Sequence, residues 1–183
     1  RAGTTKGKDT CFDTLYTNAK AAGLNVGAYY YSYALTVDEA KKDAENMLTW
    51  IQGKLFEYPV YFDYEDKSQQ ALSADLSKNI CLAFMDRLAG AGYLTGMYTG
   101  AYFSEQLPMS TICAKYEFWV AHYYDYTYQS KNDIYCKTSG MYQYTDRNYV
   151  NGAGPFDGNV CYKDYPTIVK KYGFNGYVSE VLE

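Results

Sequence analysis

The sequence predicts a single α/β domain built as an irregular, incomplete β/α barrel of the TIM type. Three observations carry that expectation. Apolar residues recur at helical spacing in some segments and in short β-prone runs in others, and the two kinds alternate along the chain. The 183 residues fit one domain, able to bury about 70% of its unfolded surface, and suit a small or incomplete barrel. A short echo, Ala22-Gly23-x-x-x-Gly27-x-Tyr29 against Ala91-Gly92-x-x-x-Gly96-x-Tyr98, marks two places where a helix is left and a strand entered. Glycine taking a positive φ at the helix end explains the echo without a duplicated domain.

The elements follow in order. Phe12, Leu15, Ala19 and Ala22 make a first helical run that Gly23 stops. Leu24 to Tyr33 (LNVGAYYYSY) is β-prone and too aromatic for a solvated helix, so it reads as a strand buried on both faces. Thr36 and Glu39 form a capping box, and Val37, Ala40, Ala44, Met47, Leu48 and Ile51 make one apolar stripe. Tyr58 to Tyr64 (YPVYFDY) is the second strand. Leu72, Leu76, Ile80, Phe84 and Leu88 line the next helix, ended by Gly90 or Gly92, and Tyr93 to Thr99 is the third strand. A poorer helix from Phe103 to Lys115 is interrupted by Pro108. Strands at Glu117 to Tyr123 and Gly140 to Thr145 come next, then a Gly/Asn-rich loop from Asn148 to Gly158 and a last amphipathic helix near Tyr165 to Tyr172. Strands alternating with helices imply a largely parallel sheet, with the active site at the C-terminal strand ends.

Composition removes several functions. Seventeen basic against 21 acidic residues give a net charge of −4, and no Lys/Arg block exceeds Lys170-Lys171, so the footprint of a nucleic-acid binder is absent. No stretch approaches the roughly 18 apolar residues of a membrane span. Cysteines 11, 81, 113, 136 and 161 are odd in number and form no C-x-x-C pair, which argues against a zinc knuckle or a fully paired disulfide framework and for mostly free, buried thiols. Tyrosine supplies 24 of the 34 aromatic residues. Flat rings with a polar tip suit sites that stack on sugars, and equally a Tyr-rich core.

The chemically richest segment is Tyr58-Pro59-Val60-Tyr61-Phe62-Asp63-Tyr64-Glu65-Asp66. Side chains two apart on a strand share a face at roughly 6.6 Å, so Tyr61, Asp63 and Glu65 point the same way. Like charges that close resist simultaneous ionisation, and burial among tyrosines lifts a carboxyl further, so a glutamic acid there holds its proton near pH ~6. Protonating a glycosidic oxygen requires that. Other chemistries fare worse: His122 is the only histidine, with no second His or placed Cys for a metal, which leaves it a packing or supporting role. No G-x-S-x-G elbow exists for Ser-His-Asp catalysis, and Cys113, Cys136 and Cys161 are weak nucleophile candidates.

Taken together, Val26-Gly27-Ala28-Tyr29-Tyr30-Tyr31, the Tyr58 to Glu65 segment, Ala91-Gly92-Tyr93 with Gly96-Met97-Tyr98-Thr99, Trp119-Val120-Ala121 and Gln143-Tyr144-Thr145 resemble, in order, glycoside hydrolase family 25. The resemblance covers nearly the whole chain and implies a bacteriolytic β-1,4-N-acetylmuramidase, a lysozyme that takes peptidoglycan glycan strands and needs no cofactor. It further implies a secreted, wall-associated or phage-borne protein. It makes Glu65 the general acid/base and Asp63 its neighbouring carboxylate, with Tyr29, Tyr31, Tyr61, Tyr98, Trp119, Tyr123 and Gln143 lining the saccharide groove. Of three mechanisms, retaining with Asp63 as nucleophile, inverting, or attack by the substrate's own N-acetyl oxygen with Asp63 stabilising the amide, the third is favoured. The alternative function is a catalytically weakened barrel that grips peptidoglycan without cutting it.

Two departures from the family pattern set further expectations. Family members carry a strand with an Asp, then a helix, before the segment equivalent to Arg1-Ala2-Gly3, so residues 1–183 are expected to be an N-terminally truncated catalytic domain, with Leu182-Glu183 a cloning remnant. The sheet edge along Leu24 to Tyr33 is then expected to be uncovered, leading either to a homodimer that completes the sheet or to a rearranged edge, with activity below that of a chain carrying the missing strand and its Asp. The family's usual Asn-Val-Asp reads Asn159-Val160-Cys161 here, leaving Asp157 or Asp164 to replace the lost carboxylate.

Overall fold

The computed structural model describes residues 1–124, 126, 135 and 137–180. One eight-stranded sheet runs through it: β1 (Gly3–Thr4), β2 (Gly7–Lys8), β3 (Ala28–Tyr31), β4 (Val60–Asp63), β5 (Thr95–Gly100), β6 (Glu117–Ala121), β7 (Met141–Val150) and β8 (Ala153–Cys161). Their spatial order is β2-β1-β3-β4-β5-β6-β7-β8. β1 and β3 to β7 are mutually parallel, β2 and β8 antiparallel to their neighbours, and the sheet does not close on itself. This is the incomplete barrel that the alternation predicts.

The helices form where caps and stops place them. α1 (Phe12–Ala21) ends before Gly23 at φ +73°. α2 (Val37–Ile51) opens with the full capping box: the Glu39 amide donates to Thr36 Oγ1, and the Glu39 carboxylate accepts from the Thr36 amide. Ser73 caps α3 (Ala74–Gly90). The poor helix is two pieces, α4 (Ala101–Ser104) and α5 (Met109–Cys113), because Pro108 has no amide hydrogen to continue the ladder. Asp164 caps α6 (Tyr165–Tyr172) through the Thr167 amide.

Strand alternation then sorts the side chains. Tyr30, Val60, Phe62 and Met97 point outward into a core shared with Met47, Ile51, Phe84 and Leu88 of α2 and α3, with Phe62 stacked on Phe84 at 4.3 Å. The residues between them point inward.

Three expectations change. The aromatic run Leu24 to Tyr33 forms a strand only over Ala28–Tyr31, where β4 and β1 supply partners. Its outer edge is not bare there: the Ala2 amide donates to the Tyr29 carbonyl, and Gly3 and Thr4 lie beside Tyr30 and Tyr31. The β1–β2 hairpin is moored by Thr5, whose hydroxyl donates to the buried Asp43 carboxylate at 2.8 Å, and Asp43 also accepts from Tyr30 and Ser32, each at 2.7 Å. The expectation of an uncovered edge is therefore corrected where β1 lies along Tyr29 to Tyr31. Finally, the expected loop Asn148 to Gly158 is instead the far half of the β7–β8 hairpin. Its turn is Asn151-Gly152, at φ +51° and +81°, the double positive φ that a tight two-residue hairpin needs.

Candidate active site

The register of the parallel strands builds the site in rows. Tyr31, Asp63, Tyr98 and Trp119 are successive cross-strand partners of β3, β4, β5 and β6, so their side chains stand in one row on the inner face. Glu65 follows two residues after Asp63, just past the end of β4, and joins the same side. Together with Tyr29, Tyr123 and Gln143 they enclose a cavity of about 270 Å³ at the C-terminal strand ends. Eight of the nine residues expected at the site thus meet in one cavity. The ninth, Tyr61, belongs to the row beneath, beside Tyr29 and Gly96; it is 3% exposed and supports Trp119 from below, ring centroids 5.2 Å apart. Tyr61 lines instead a neighbouring cavity of about 360 Å³ that shares Tyr29 and Trp119 with the first.

The aromatic walls are fixed by hydrogen bonds. The Tyr98 hydroxyl donates to Gln143 Oε1 at 2.7 Å, and the Tyr123 hydroxyl donates to the same oxygen. Gln143 is 3% exposed, so the two phenols share a buried acceptor. Trp119 stands edge-on to Tyr98 with ring centroids 4.6 Å apart, and its indole Nε1 donates to Asn159 Oδ1 at 2.9 Å.

The carboxylates differ in depth. Asp63 is 4% exposed, and its Oδ1 has no hydrogen-bond partner among the described residues. Burial, and then the charge of Glu65, pushes its carboxyl up to about 8. Glu65 is half-buried and pushed up by burial alone. Sequence reasoning gave the raised value to Glu65; the larger rise falls on Asp63 because the strand interior is deeper than the position two residues past its end. Both carboxyls are thus raised, Asp63 chiefly by its depth and Glu65 by burial.

A third carboxylate comes from β8. Asp157 lines the cavity, and burial, then the charge of Asp146, lifts it above the ordinary carboxylate range. Asp164 is instead the α6 cap, held low by its hydrogen bonds to Thr167. Cys161 lies opposite Met141, one row below Asn159 and outside that cavity, its thiol donating to the Lys163 carbonyl at 3.0 Å. Sequence reasoning reached Asp157 only as one of two replacements, and missed Asn159 as the partner of Trp119. The Asn151-Gly152 turn was the available signal, since it folds β8 back along β7 and sets Asn159 opposite Gln143.

The remaining candidates lie elsewhere. His122 Nδ1 pairs with the Tyr135 hydroxyl at 2.7 Å, its ring edge-on to Tyr102 and Tyr124, a packing role as expected. No cluster of three His, Cys, Asp or Glu able to hold a metal occurs among the described residues. Cys11, Cys81, Cys113 and Cys161 are free, but only Cys81 is buried, which corrects the expectation of mostly buried thiols. Cys136 and Leu182-Glu183 lie outside the described residues. No described helix is long and apolar enough to cross a membrane.

Comparison with known proteins adds five findings. The sequence family described as glycosyl hydrolases family 25 matches residues 2–153. No curated protein matches the chain by sequence. Among solved structures, the CTP1L endolysin is 26% identical with a TM-score of 0.72, the match covering 92% of this chain and 59% of that one, so the chain spans less than two thirds of that endolysin. A bacterial lysozyme from Streptomyces coelicolor is 25% identical (TM-score 0.69; 87% and 77% covered), and the catalytic domain of a Listeria monocytogenes bacteriophage endolysin shares the fold at 22% identity (TM-score 0.74; 92% and 83% covered).

Proposed function

The chain belongs to the glycosyl hydrolases of family 25, and from that premise we propose that it is a peptidoglycan hydrolase of the lysozyme type, cutting the β-1,4 bond between N-acetylmuramic acid and N-acetylglucosamine. The observation that carries the reading is the carboxyl pair of buried Asp63 and half-buried Glu65 in an aromatic cavity at the C-terminal strand ends. Tyr98, Trp119 and Tyr123 offer ring faces and edges to the apolar faces of sugars, and the shared Gln143 acceptor holds two of those rings still. Acting on the bacterial wall, the protein works outside the cytoplasm that made the wall or is delivered there by a phage.

The chemistry needs one proton on Glu65 and a negative charge on Asp63. In the free cavity the proton resides on Asp63, the deeper group. A 2-acetamido group bound in the cavity donates its N–H to Asp63 Oδ1, the oxygen that has no protein partner. That hydrogen bond favours ionised Asp63, and the pair's proton passes to Glu65, which the bound sugar has further dried. Glu65 then protonates the glycosidic oxygen while the N-acetyl oxygen attacks the anomeric carbon, with Asp63 stabilising the positive charge that spreads over the amide. Water, deprotonated by the resulting Glu65 carboxylate, opens the cyclic intermediate. Asp157, across the cavity on β8, adds a charge that stabilises the cationic transition state.

Release of new reducing ends from peptidoglycan tests the reading. Glu65→Gln should lower the rate at least 100-fold, toward the upper end of the usual about 10²–10⁴-fold worth of general acid catalysis, while glycan binding persists. A thiazoline analogue of the intermediate should inhibit. Unchanged turnover in the variant would remove Glu65 from its role, a sugar ester trapped on Asp63 would replace the N-acetyl route by double displacement, and wall binding without any product would leave the weakened binding barrel.

A further inference from the structure

The far half of the β7–β8 hairpin stands clear of the rest of the sheet: β6 pairs with β7 only from Met141 to Gln143, while β7 runs on to Val150. On this stretch the Arg147 guanidinium lies over the Tyr126 ring at 4.0 Å. Tyr126 in turn meets the ring of Tyr123, centroids 5.8 Å apart, and Tyr123 lines the cavity. A line of ring contacts therefore leads from the cavity wall to one positioned cation. Stacking occupies a face of the guanidinium and leaves its N–H edge, a planar fork that fits a carboxylate and not a lone hydroxyl. The edge is reachable, since the side chain is 64% exposed. Its ion-pair partner among the described residues is the adjacent Asp146, at 3.4 Å and 47% exposed, a pairing so open to water that a better-aligned carboxylate displaces it. With Asp146 and Asp157 nearby, diffuse negative charge is repelled, and only an acceptor that takes both prongs of the fork compensates.

Resting on the reading of the substrate as peptidoglycan, we propose that Arg147, held flat by Tyr126, receives a carboxylate carried by the muramic acid residues of the bound strand and so selects peptidoglycan over N-acetylglucosamine homopolymers. Two sources supply that chemistry: the peptide stem, of which three extended residues reach roughly 10 Å from the glycan, and the lactyl group once its stem has been removed. Titration calorimetry on the Glu65→Gln chain separates capture from cleavage. Three soluble probes are compared: a stem-bearing glycan oligomer, the same oligomer after an amidase has removed its stems, and an N-acetylglucosamine oligomer of equal length. Adding Arg147→Gln should weaken binding about tenfold, the worth of one charge-assisted hydrogen-bonded contact, for the first probe if the stem is the ligand, for the second if the lactyl group is, and leave the third unchanged. Arg147→Lys, which keeps the charge without the fork, should restore only part of the affinity. Equal affinities with and without Arg147, an equal loss on all three probes, or no binding to any of them would overturn the proposal. Should the unmodified chain release no reducing ends, the hydrolase reading fails while the dependence of binding on Arg147 is still read from the same titrations.

Discussion

Asp63 carries a cost that its position explains. Its carboxyl titrates near 8 in the folded chain and near 3.9 when unfolded, so between those values the unfolded state holds fewer protons than the native one. Stability therefore falls as pH rises from about 4 to about 8, and is flat beyond. Asp63→Asn should match the parent near pH 4 and exceed it by on the order of 2 kcal/mol at pH 8, the usual sign when a catalytic group is traded for a neutral one. Thermal unfolding of both chains across that range is the check; parallel stability curves would show that Asp63 is not buried protonated. The same value sets the upper limb of kcat/KM against pH, which should fall above about pH 8 as the pair loses its last proton. At this scale the sequence identified Asp63 and Glu65 by spacing alone, because a strand's period of two admits no other facing. It assigned the stronger shift to the wrong member of the pair, because depth depends on how many neighbouring strands extend past each residue.

The hairpin β7–β8 shows where element-scale reading succeeds and fails. Helices with caps were legible: α2 and α6 occupy the segments that Thr36, Glu39 and the Tyr165 to Tyr172 periodicity mark. Asn148 to Gly158 was read as a loop from composition, although its Asn151-Gly152 pair is also the strongest short hairpin signal. The distinction decides function, since β8 brings Asp157 to the cavity and Asn159 to Trp119. Gly152→Val places a β-branched side chain at φ +81°, a strain of about 1–2 kcal/mol. The variant should unfold at correspondingly lower urea concentration and release reducing ends several-fold more slowly, through a loosened β8. Full activity with an unshifted midpoint would mean that the turn does not hold the site.

Across the whole molecule, the short β1–β2 hairpin matters because it lies along β3 and is moored to α2 through Asp43. Asp43→Ala removes an acceptor shared by Thr5, Tyr30 and Ser32, leaving buried hydroxyls unpaired at roughly 1–3 kcal/mol each if water does not replace it. The expected outcome is a loss of about 2–4 kcal/mol in urea unfolding and concentration-dependent association in sedimentation, as the β3 edge is released to pair with other chains. A variant that stays monomeric with unchanged stability would show that the hairpin covers β3 without Asp43.

Spacing along single segments determined the element order, the helix ends and the carboxylate pair, because each depends on contacts within about ten residues and on fixed periods of two and 3.6. Tertiary structure alone decided which residues share a row. Tyr31, Asp63, Tyr98 and Trp119 are aligned by the register of four separate strands, and a slip of one residue in any strand would have turned its side chain to the opposite face. The same register set Tyr61 one row below, in the adjoining cavity, and the return of β8 along β7 put Asp157 into the first cavity in place of position 161. Pairings between distant segments leave no period in the chain, so only the folded sheet reveals them.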